Sequence, residues 1–573
     1  MTETLTEPLT VRTERVDDIP LLIAHMREMN LPWLLESSFL PHGNRQGLSV
    51  GWTLTVWLAH ILSQGDHRMN QVQSWVTDHL ETLRSVAVRD LQALDCTDDR
   101  LADILRMLSN DAAWADFEFG LTKWLLRVYD LRPTRARVDT TTAMSYGPIT
   151  EAGLFQLGHS KDHRPDLAQI KVVLVTLDPF GLPVATEVVD GSRADDPLYL
   201  PTIARVRTSL PRGMLYVGDC KMAALATRAG IVAGEDHYLC PLPTLQVPTA
   251  RLDQYLATAR ANGPPTVLRR TTADGHDIHI ADGYEWTESL TADGPQGLLT
   301  WTERRLLVRS LTQAQTAETT LRRRLARAQA ALDDLSVRRQ GKRPVLTDRR
   351  SAETQVAAIL KRYHVAEIVD VTLHETVTQQ LVRAYRGRPA EVRETRQITL
   401  TQTVNPTALA AAIDRLGWRV YVTTQPAGEL SLAEAVLAYR EEYLIERGMG
   451  RLKGAALALT PLYLTREDHV TGLVRLLSIG LRVLTLLEGV VRRRLAETQE
   501  RLAGLYAGQP TRTTAQPTAE QLLRALRGIT LSIITEPDRQ RRHLTPLSPL
   551  QQRIVALLDC QYTIYTPVNA QSP

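Results

Sequence analysis

The stretch from residue 135 to residue 242 constrains the fold of this 573-residue chain most. Three runs rich in β-branched residues, separated by Gly, Pro and Asp, predict three consecutive strands. The predicted elements, in chain order, are strands at 135–146, 168–178 and 182–190, a helix at 197–210, a strand at 214–219, a helix at 223–229 and a strand at 237–242. Strands that first follow one another directly and then alternate with helices are typical of a mixed α/β sheet.

The regions around this stretch differ in character, and the chain length favours several domains at roughly 150 residues each. The N-terminal region predicts helices, with starts near Ser49 and Thr97. Short strands are expected between Thr266 and Thr302, and a long basic helix from Ala314 to Arg339. A strand from Trp418 and helices at 432–453, 468–500 and 519–526 follow, with a loose C-terminus beyond them. The prediction is a multidomain α/β protein divided into 1–130, 131–245, 246–415, 416–500 and 501–573.

Composition excludes several classes of protein. With 43% hydrophobic and 23% charged residues the chain is not mainly disordered, and 5% aromatic residues argue against a protein that stacks bases along a single strand. The four cysteines form no CxxC pair, which excludes a zinc ribbon and a dense disulfide framework and favours a reducing compartment. The net charge of +3 does not by itself indicate nucleic-acid binding.

Neither secretion nor membrane insertion is expected. The first 18 residues are polar and acidic, without the apolar core of a signal peptide. The most apolar stretch, Leu473 to Val491, is interrupted by Arg475, Arg482 and Glu488. A membrane span needs about 20 apolar residues, so this stretch predicts a buried helix.

Three carboxylates stand out by their context. Asp139 lies in a β-branched run, Asp219 ends a strand, and Glu446 lies in a charged helical stretch. Alone, each is more often a turn, edge or solvated residue. Strand ends of open α/β sheets are where ligands bind, and converging carboxylates need a cation. Hard oxygen ligands suit Mg²⁺, and two such ions can promote an in-line displacement at phosphorus.

Tyr439, Glu446 and Lys453 are spaced seven residues apart within the helix predicted at 432–453. That spacing places the three side chains on one helical face. A lysine on the face of the carboxylate would bring positive charge to a bound phosphate.

Four motifs, in this order, resemble the DDE transposases of bacterial insertion sequences, most closely the insertion-sequence-four superfamily. They are VDTTTAMSYG from Val138, GHSKDHRPDLAQIKVVLV from Gly158, LYVGDCKMAALATRAG from Leu215 and YREEYLIERGMGRLKG from Tyr439. The resemblance covers about residues 135–500. It implies a ribonuclease-H-like mixed-sheet core, interrupted by a β-plus-helical insertion before the catalytic glutamate, with a helical N-terminal domain and a helical C-terminal region.

The resemblance also implies the roles of particular residues. Asp139, Asp219 and Glu446 would be the catalytic triad, and would hold two Mg²⁺ ions per active site, or Mn²⁺ in their place. Tyr439 and Lys453 would contact the DNA end.

An aromatic residue in the β-rich part of the insertion would stack on a base flipped from the DNA end. Trp286 and Trp301 are the two candidates, and the sequence does not choose between them.

Other DNA contacts are expected near the triad. Lys161 and Arg164 belong to a loop that is either a solvated hairpin connection or a DNA-facing loop, and Lys221 beside Asp219 can touch a phosphate. Between Trp301 and Arg350 there are 13 Arg and Lys against 5 Asp and Glu. This basic stretch is either a solvated helix face or a surface for the DNA backbone.

One position departs from the family signature, which has an arginine three residues after the tyrosine. This chain has Glu442 there, with Arg440 two positions earlier. Either Arg440 takes the phosphate contact from an adjacent face, or that contact is missing. A second carboxylate one turn from Glu446 can also affect the metal site.

The resemblance therefore predicts a cut-and-paste transposase in the bacterial cytoplasm, associated with the nucleoid. It would bind double-stranded DNA at the terminal inverted repeats of its own element, cut them and join them to target DNA, with a DNA hairpin as an optional intermediate. Residues 1–130 would bind the DNA end, residues 501–573 would dimerise or contact DNA, and a homodimer would hold both ends.

Two alternatives remain open. One is a ribonuclease-H-like nuclease or resolvase that does not transfer strands. The other is a domesticated DNA-binding protein without catalysis, against which all three carboxylates are present.

Overall fold

The computed structural model describes residues 10–40, 46–149, 151–272, 275–295, 297–336, 346–383, 391–536, 539–560 and 562–569. The chain forms two compact units. Unit 1 contains Met1–Cys240, Leu290–Trp301 and Ala438–Pro573, and unit 2 contains Pro241–Ser289 and Thr302–Leu437. Unit 2 overlaps the predicted insertion at 246–415 and extends beyond it at both ends.

The first 241 residues contain these elements in chain order: β1 Thr10–Arg15, α1 Ile19–Glu28, α2 Leu31–Ser38, α3 Val50–Gln64, α4 Met69–Asp78, α5 Leu80–Val86, α6 Asp98–Leu108, α7 Asp111–Val128, β2 Arg135–Ser145, β3 Ala168–Leu177, β4 Leu182–Asp190, α8 Tyr199–Arg207, β5 Leu215–Gly218, α9 Leu225–Ala233 and β6 His237–Pro241. The middle of the chain contains α10 Thr249–Ala261, β7 Thr266–Thr271, β8 Asp277–Gly294, β9 Gly297–Ser310, α11 Leu311–Ser336, α12 Arg349–Tyr363, β10 Val369–Val382, β11 Glu391–Val404, α13 Pro406–Asp414 and β12 Trp418–Thr423. The last part contains α14 Leu432–Arg440, α15 Tyr443–Lys453, α16 Glu467–Glu497, β13 Leu502–Ala503, β14 Thr513–Thr514, α17 Ala519–Ala525, β15 Thr530–Glu536, β16 Arg539–Leu544, α18 Pro549–Leu557 and α19 Thr566–Asn569, and short 3₁₀ turns lie at Ala93–Cys96, Asp196–Leu198 and Tyr562–Tyr565.

The main sheet of unit 1 has the strand order β4-β3-β2-β5-β6. β3 runs antiparallel to both β2 and β4, whereas β5 runs parallel to β2 and to β6. β3 is buried along its whole length, as its nearly continuous apolar run AQIKVVLVTL requires. Every predicted strand of this stretch ends within one residue of an observed strand end, so the predicted mixed α/β sheet is confirmed.

Helix α16 is a core element of unit 1. Within the described residues it is the one helix with the length and apolar composition to span a membrane, and 94% of its most apolar 18 residues are buried inside the protein. Its buried charges are paired, Arg482 with Glu118 of α7, and Glu488 with Arg447 and Arg451 of α15. The buried helix predicted from its interrupted apolar run is what the structure contains.

The two ends of the described chain meet in one small sheet. β1 pairs antiparallel with β15, and β15 pairs antiparallel with β16. The N-terminal helices share a hydrophobic core with α16 and with the helices after residue 518. The predicted boundaries after residues 130 and 500 therefore lie inside unit 1, and the C-terminal region, predicted as helical and loose, contains strands as well as helices.

Unit 2 differs from its predicted content in two respects. Its sheet has the order β12-β9-β8-β7, and β8 and β9 span 18 and 14 residues rather than forming short strands. The antiparallel hairpin β10-β11 was not predicted, although Val369, Val371 and Leu373 in β10 and Ile398 and Leu400 in β11 alternate with polar residues as in a half-buried strand. The predicted basic helix is α11, which ends at Ser336; its predicted end at Arg339 lies outside the described residues.

The helix predicted at 432–453 is broken into α14 and α15. In a continuous helix the carbonyl oxygen of Ala438 would accept a hydrogen bond from the amide of Glu442. Instead it accepts from Nη2 of Arg137 at 2.8 Å, and the Glu442 amide donates to the carbonyl oxygen of Tyr439 at 3.1 Å. Tyr439 precedes this break whereas Glu446 and Lys453 follow it, so the three residues do not belong to one continuous helix as predicted.

Candidate active site

Two of the predicted carboxylates lie side by side where the parallel pairing of β2 with β5 ends. Val138 of β2 pairs with Gly218 of β5, so the next residues, Asp139 and Asp219, are neighbours across strands about 4.8 Å apart. Burial, first of all, raises the pKa of Asp139, and the negative charge of Asp219 raises it further. These aspartates repel each other wherever both are ionised.

Asp139 is oriented by its own strand and by a lysine. Its Oδ1 accepts a hydrogen bond from the amide of Thr140 at 2.7 Å and lies 3.4 Å from Nζ of Lys161. The same ammonium donates to the carbonyl oxygen of Thr140 and to its Oγ1, the latter at 3.2 Å. The carboxylate is therefore held by two donors while part of it stays accessible, with 18% of the side chain exposed.

Asp219 is oriented from two sides. Its Oδ1 accepts from the hydroxyl of Tyr199 at 2.7 Å and from the amide of Lys221 at 2.8 Å. Burial, followed by the charge of Asp219, raises the pKa of Tyr199, which keeps the phenol protonated as a donor. Gly218 makes this contact possible, since a Cβ there would lie 2.9 Å from Sδ of Met222 and 3.2 Å from the Tyr199 ring.

The break between α14 and α15 brings a further carboxylate to the pair. Glu442 directly precedes the first residue of α15, and its pKa is raised by burial first and then by the charges of Asp139, Glu446 and Asp219. Tyr439 is hydrogen-bonded to the Glu442 carboxyl. Glu446, one turn further on, is exposed. Glu442 thus lies within electrostatic reach of both aspartates and of Glu446, and the signal in the sequence was a carboxylate where the family signature has an arginine.

Arg137 ties the end of α14 and the turn before α15 to β2. Its guanidinium forms two hydrogen bonds to the carboxylate of Asp178, both at 2.7 Å, and lies 3.4 Å from Glu441. The same group donates to the carbonyl oxygen of Ala438. Because Arg137 and Asp139 are two residues apart in β2, this network holds the turn at Glu441 and Glu442 at a fixed distance from Asp139.

The loop before β3 is anchored beside the aspartates. The amide of Lys161 donates to Oγ1 of Thr142 at 3.0 Å. Nζ of Lys453 donates to the carbonyl oxygen of Thr142 at 3.1 Å and to Oδ1 of Asp162. Gly158 is required at the base of this loop, since a Cβ there would lie 2.3 Å from the carbonyl oxygen of Gly191.

Four of the seven lysines of the chain surround the two aspartates, namely Lys161, Lys171, Lys221 and Lys453. Nζ of Lys171 donates to Oδ1 of Asp195 at 2.7 Å, and that oxygen also accepts from Oγ1 of Thr140. Nζ of Lys221 lies 3.9 Å from Asp196 and half of its side chain is exposed. The site therefore combines clustered carboxylates with ammonium groups that can reach a phosphate.

Two other predicted DNA contacts are more peripheral. Arg164 is exposed and pairs with Asp166 at 2.7 Å. Arg440 is the last residue of α14, directly before the break, and is half-buried.

The two candidate tryptophans have different surroundings. Trp301 is only 8% exposed, and its Nε1 donates to the hydroxyl of Tyr238 inside unit 1 at 3.0 Å. Trp286 is half-buried in unit 2, where its ring centroid lies 5.0 Å from that of Tyr255. A cleft of about 550 Å³, lined in part by Tyr255, Tyr284 and Trp286, opens beside it. Trp286 therefore has the more accessible ring.

The donor set fits a hard divalent ion better than a soft one. All four acidic groups offer carboxylate oxygens, and burial together with like charge raises the pKa of Asp139 and of Glu442. In the part of the chain that the structure describes, no group of three His, Cys, Asp or Glu side chains forms a ready-made metal cage. Mg²⁺ is ordinarily held by one or two carboxylates together with water and substrate phosphates, so the pair of aspartates suffices for that mode.

Comparisons with known proteins assign no function to this site. No family model and no curated protein matches the chain. Among solved structures, a cryo-EM structure of the piggyBac transposase synaptic complex with hairpin DNA aligns over 90% of this chain and 81% of that one, with a TM-score of 0.34 and 8% identity. A likeness this low carries no argument about function.

Proposed function

We propose that this chain is a metal-dependent DNA transposase with a ribonuclease-H-like core. The observation that carries the proposal is the pairing of Val138 with Gly218, which sets Asp139 and Asp219 next to each other where the parallel pairing of β2 with β5 ends. Three strands, a helix, a strand, a helix and a strand follow one another in the order that the resemblance implies. Glu442 and Glu446 supply further carboxylates at the start of α15.

Asp139 and Asp219 would hold the divalent ions, together with Glu446 or Glu442. When bound, two such ions lower the pKa of the attacking water and stabilise the leaving oxygen. The residues of the chain prepare this chemistry: the amide of Thr140 orients Asp139, and the hydroxyl of Tyr199 orients Asp219.

DNA is the proposed substrate because cationic side chains lie close to the carboxylates. The ammonium of Lys161 contacts Asp139, and the backbone amide of Lys221 donates to Asp219. Lys453 contacts Thr142, which lies on the same strand as Asp139. In unit 2, α11 buries Leu321 and Leu325 and leaves Arg322, Arg323 and Arg327 exposed. Such a face favours a DNA backbone, and binding through it would weaken steeply with salt.

The test is to incubate the protein with DNA carrying the ends of its own element and Mg²⁺, and to size the products on a denaturing gel. We expect cleavage at the ends and joined products. Asp139→Asn and Asp219→Asn should each lower the cleavage rate by more than about a hundredfold, since even residues that only support metal ligands account for 10–100-fold. Asp130→Asn, an exposed aspartate that pairs with Arg132 before β2, is the matched control and should leave cleavage unchanged.

Three outcomes would contradict the proposal or narrow it. Cleavage that persists in excess EDTA, or in Asp139→Asn, would exclude the metal site. Cleavage without joining of pre-cleaved ends would identify a nuclease or resolvase, and binding without cleavage would identify a non-catalytic DNA-binding protein. Comparing Glu442→Gln with Glu446→Gln in the same assay shows which glutamate completes the site.

A further inference from the structure

The ammonium group of Lys161 lies where a cation bound to Asp139 would be. Nζ is 3.4 Å from Oδ1 of Asp139 and also contacts the carbonyl oxygen and Oγ1 of Thr140. These are three oxygen acceptors around one positive charge. The side chain of Lys161 is 35% exposed, whereas that of Asp139 is 18% exposed.

Hydrogen bonds and close backbone packing hold the loop that carries Lys161. The amide of Lys161 is tied to Oγ1 of Thr142 on β2, and the next residue, Asp162, is held by Nζ of Lys453. At the base of the loop, Gly158 packs against the carbonyl oxygen of Gly191 too closely for any Cβ. The loop is therefore fixed on both sides of Lys161. This fixed backbone directs the ammonium of Lys161 to Asp139.

The other lysines of the site are arranged differently. Lys171 and Lys453 are paired with Asp195 and Asp162, which are not predicted ligands. Lys221 is the same kind of charge in the same neighbourhood, but its ammonium lies 3.9 Å from Asp196. Among these four lysines, Lys161 is the one whose ammonium contacts an aspartate of the proposed metal site.

We propose that Lys161 is an internal counter-cation of Asp139, which balances the carboxylate in the free protein and must leave before Asp139 binds a divalent ion. An ammonium and a divalent ion cannot both contact Oδ1 without strong like-charge repulsion. The displaced ammonium, on an exposed loop, is then free to take a DNA phosphate. DNA and metal therefore favour each other's binding, as thermodynamic linkage requires. The inference rests on the proposed function, since it assumes that Asp139 is a metal ligand.

The experiment measures Mn²⁺ affinity of the full chain without DNA, by titration calorimetry and by the electron paramagnetic resonance signal of free Mn²⁺. Lys161→Met should bind Mn²⁺ about tenfold more tightly than the natural protein, because it removes one competing charge-assisted hydrogen bond. Lys161→Arg keeps the charge and should bind Mn²⁺ no more tightly than the natural protein. An unchanged or weaker affinity in Lys161→Met would overturn the inference.

Lys221→Met is the matched comparison, because it removes one positive charge nearby without freeing Asp139. If it tightens Mn²⁺ binding as much as Lys161→Met does, the effect is general electrostatics and the counter-cation role is refuted. A far smaller effect supports that role. Thermal unfolding of each variant checks that the loop change leaves the protein folded.

Asp139→Asn separates failure of this inference from failure of the proposed function. If Asp139→Asn binds Mn²⁺ as well as the natural protein, Asp139 is not a ligand and both fall. If Asp139→Asn loses Mn²⁺ binding but Lys161→Met does not gain it, the metal site stands and only the counter-cation role is lost. A gain in Lys161→Met that disappears in the double variant with Asp139→Asn supports both.

Discussion

At the scale of single residues, the site gathers negative charge that the free protein only partly compensates. The carboxylate of Asp139 is compensated by the ammonium of Lys161 and by a backbone amide. The carboxylate of Asp219 accepts hydrogen bonds from the phenol of Tyr199 and from a backbone amide. Glu442 has Tyr439 but faces other carboxylates. Perturbed carboxyl groups at strand ends are typical of functional sites, because the function requires a charge arrangement that folding alone would not favour.

The repulsion between Glu442 and the neighbouring carboxylates predicts that the stability of the folded protein depends on pH. Burial, and then the charge of Asp139, raise the pKa of Glu442 above its ordinary 4.5. A carboxyl with a raised pKa holds its proton more tightly in the folded state, so its contribution is fully present below the unfolded pKa and is lost as the pH rises through the folded one. We expect Glu442→Gln to raise the thermal unfolding midpoint at pH 7 in EDTA by roughly 1–3 °C. The gain should shrink as the pH falls from 7 through the raised pKa of Glu442 towards 4.5, and should be lost below 4.5.

The neighbouring Glu441→Gln is the control for this prediction. Glu441 lies 3.6 Å from Arg135 and 3.4 Å from Arg137, so its negative charge is stabilised by its surroundings. Its neutralisation should leave the midpoint unchanged or lower it. A midpoint that rises equally in both variants would show that any removal of negative charge stabilises the protein.

At the scale of elements, the helix predicted at 432–453 is interrupted between α14 and α15, at Glu441 and Glu442. The charged sequence between residues 439 and 454 has no glycine or proline before Gly448 and predicts an uninterrupted helix. Arg137, three hundred residues earlier, takes the carbonyl oxygen that would continue the helix. A tertiary hydrogen bond thus overrides local helix propensity.

Arg137→Ala should destabilise the protein strongly. The arginine side chain is 2% exposed and its partner Asp178 10%, so the substitution leaves a buried carboxylate without its cation. Loss of one partner of a buried ion pair costs about 3–5 kcal/mol. We expect a decrease of about 3 kcal/mol in the free energy of unfolding, measured by urea titration followed by circular dichroism.

Arg135→Ala provides the comparison on the same strand. Its guanidinium lies 3.6 Å from Glu441 and is 30% exposed. Exposed ion pairs contribute about 0–1 kcal/mol, so this variant should unfold close to the natural protein. Equal losses in both variants would mean that the buried network does not carry the stability assigned to it.

At the scale of the whole molecule, unit 1 is built from segments that are distant in the chain. β1 and β15 pair over six residues. α16 joins the N-terminal helices to the sheet, since Arg482 pairs with Glu118 of α7 and donates to the carbonyl oxygen of Pro183 in β4. α15 of the site packs on α16, whose Glu488 contacts Arg447 and Arg451. The site is therefore supported by both ends of the described chain.

Ile533→Pro tests the terminal sheet. Ile533 is 4% exposed in the central strand β15, opposite Arg12. Proline removes a ladder hydrogen bond and is poorly tolerated within a sheet. We expect new tryptic cleavage within β1 or β16 and an unfolding midpoint lower by a few degrees. Ile533→Val, which keeps the amide, should remain protected; cleavage in neither variant would show that the ladder is dispensable.

The sequence by itself determined the strands of the main sheet, because β-branched runs bounded by Gly, Pro and Asp are local signals. It also singled out Asp139 within a β-branched run and Asp219 at the end of a strand, since both positions follow from the same pattern. It did not find the break before Glu442, the convergence of four lysines or the sheet of β1 and β15. These depend on contacts between residues far apart in the chain, such as Arg137 with Ala438 and Arg12 with Ile533. Local periodicity contains no information on such contacts, so only the tertiary structure decided them.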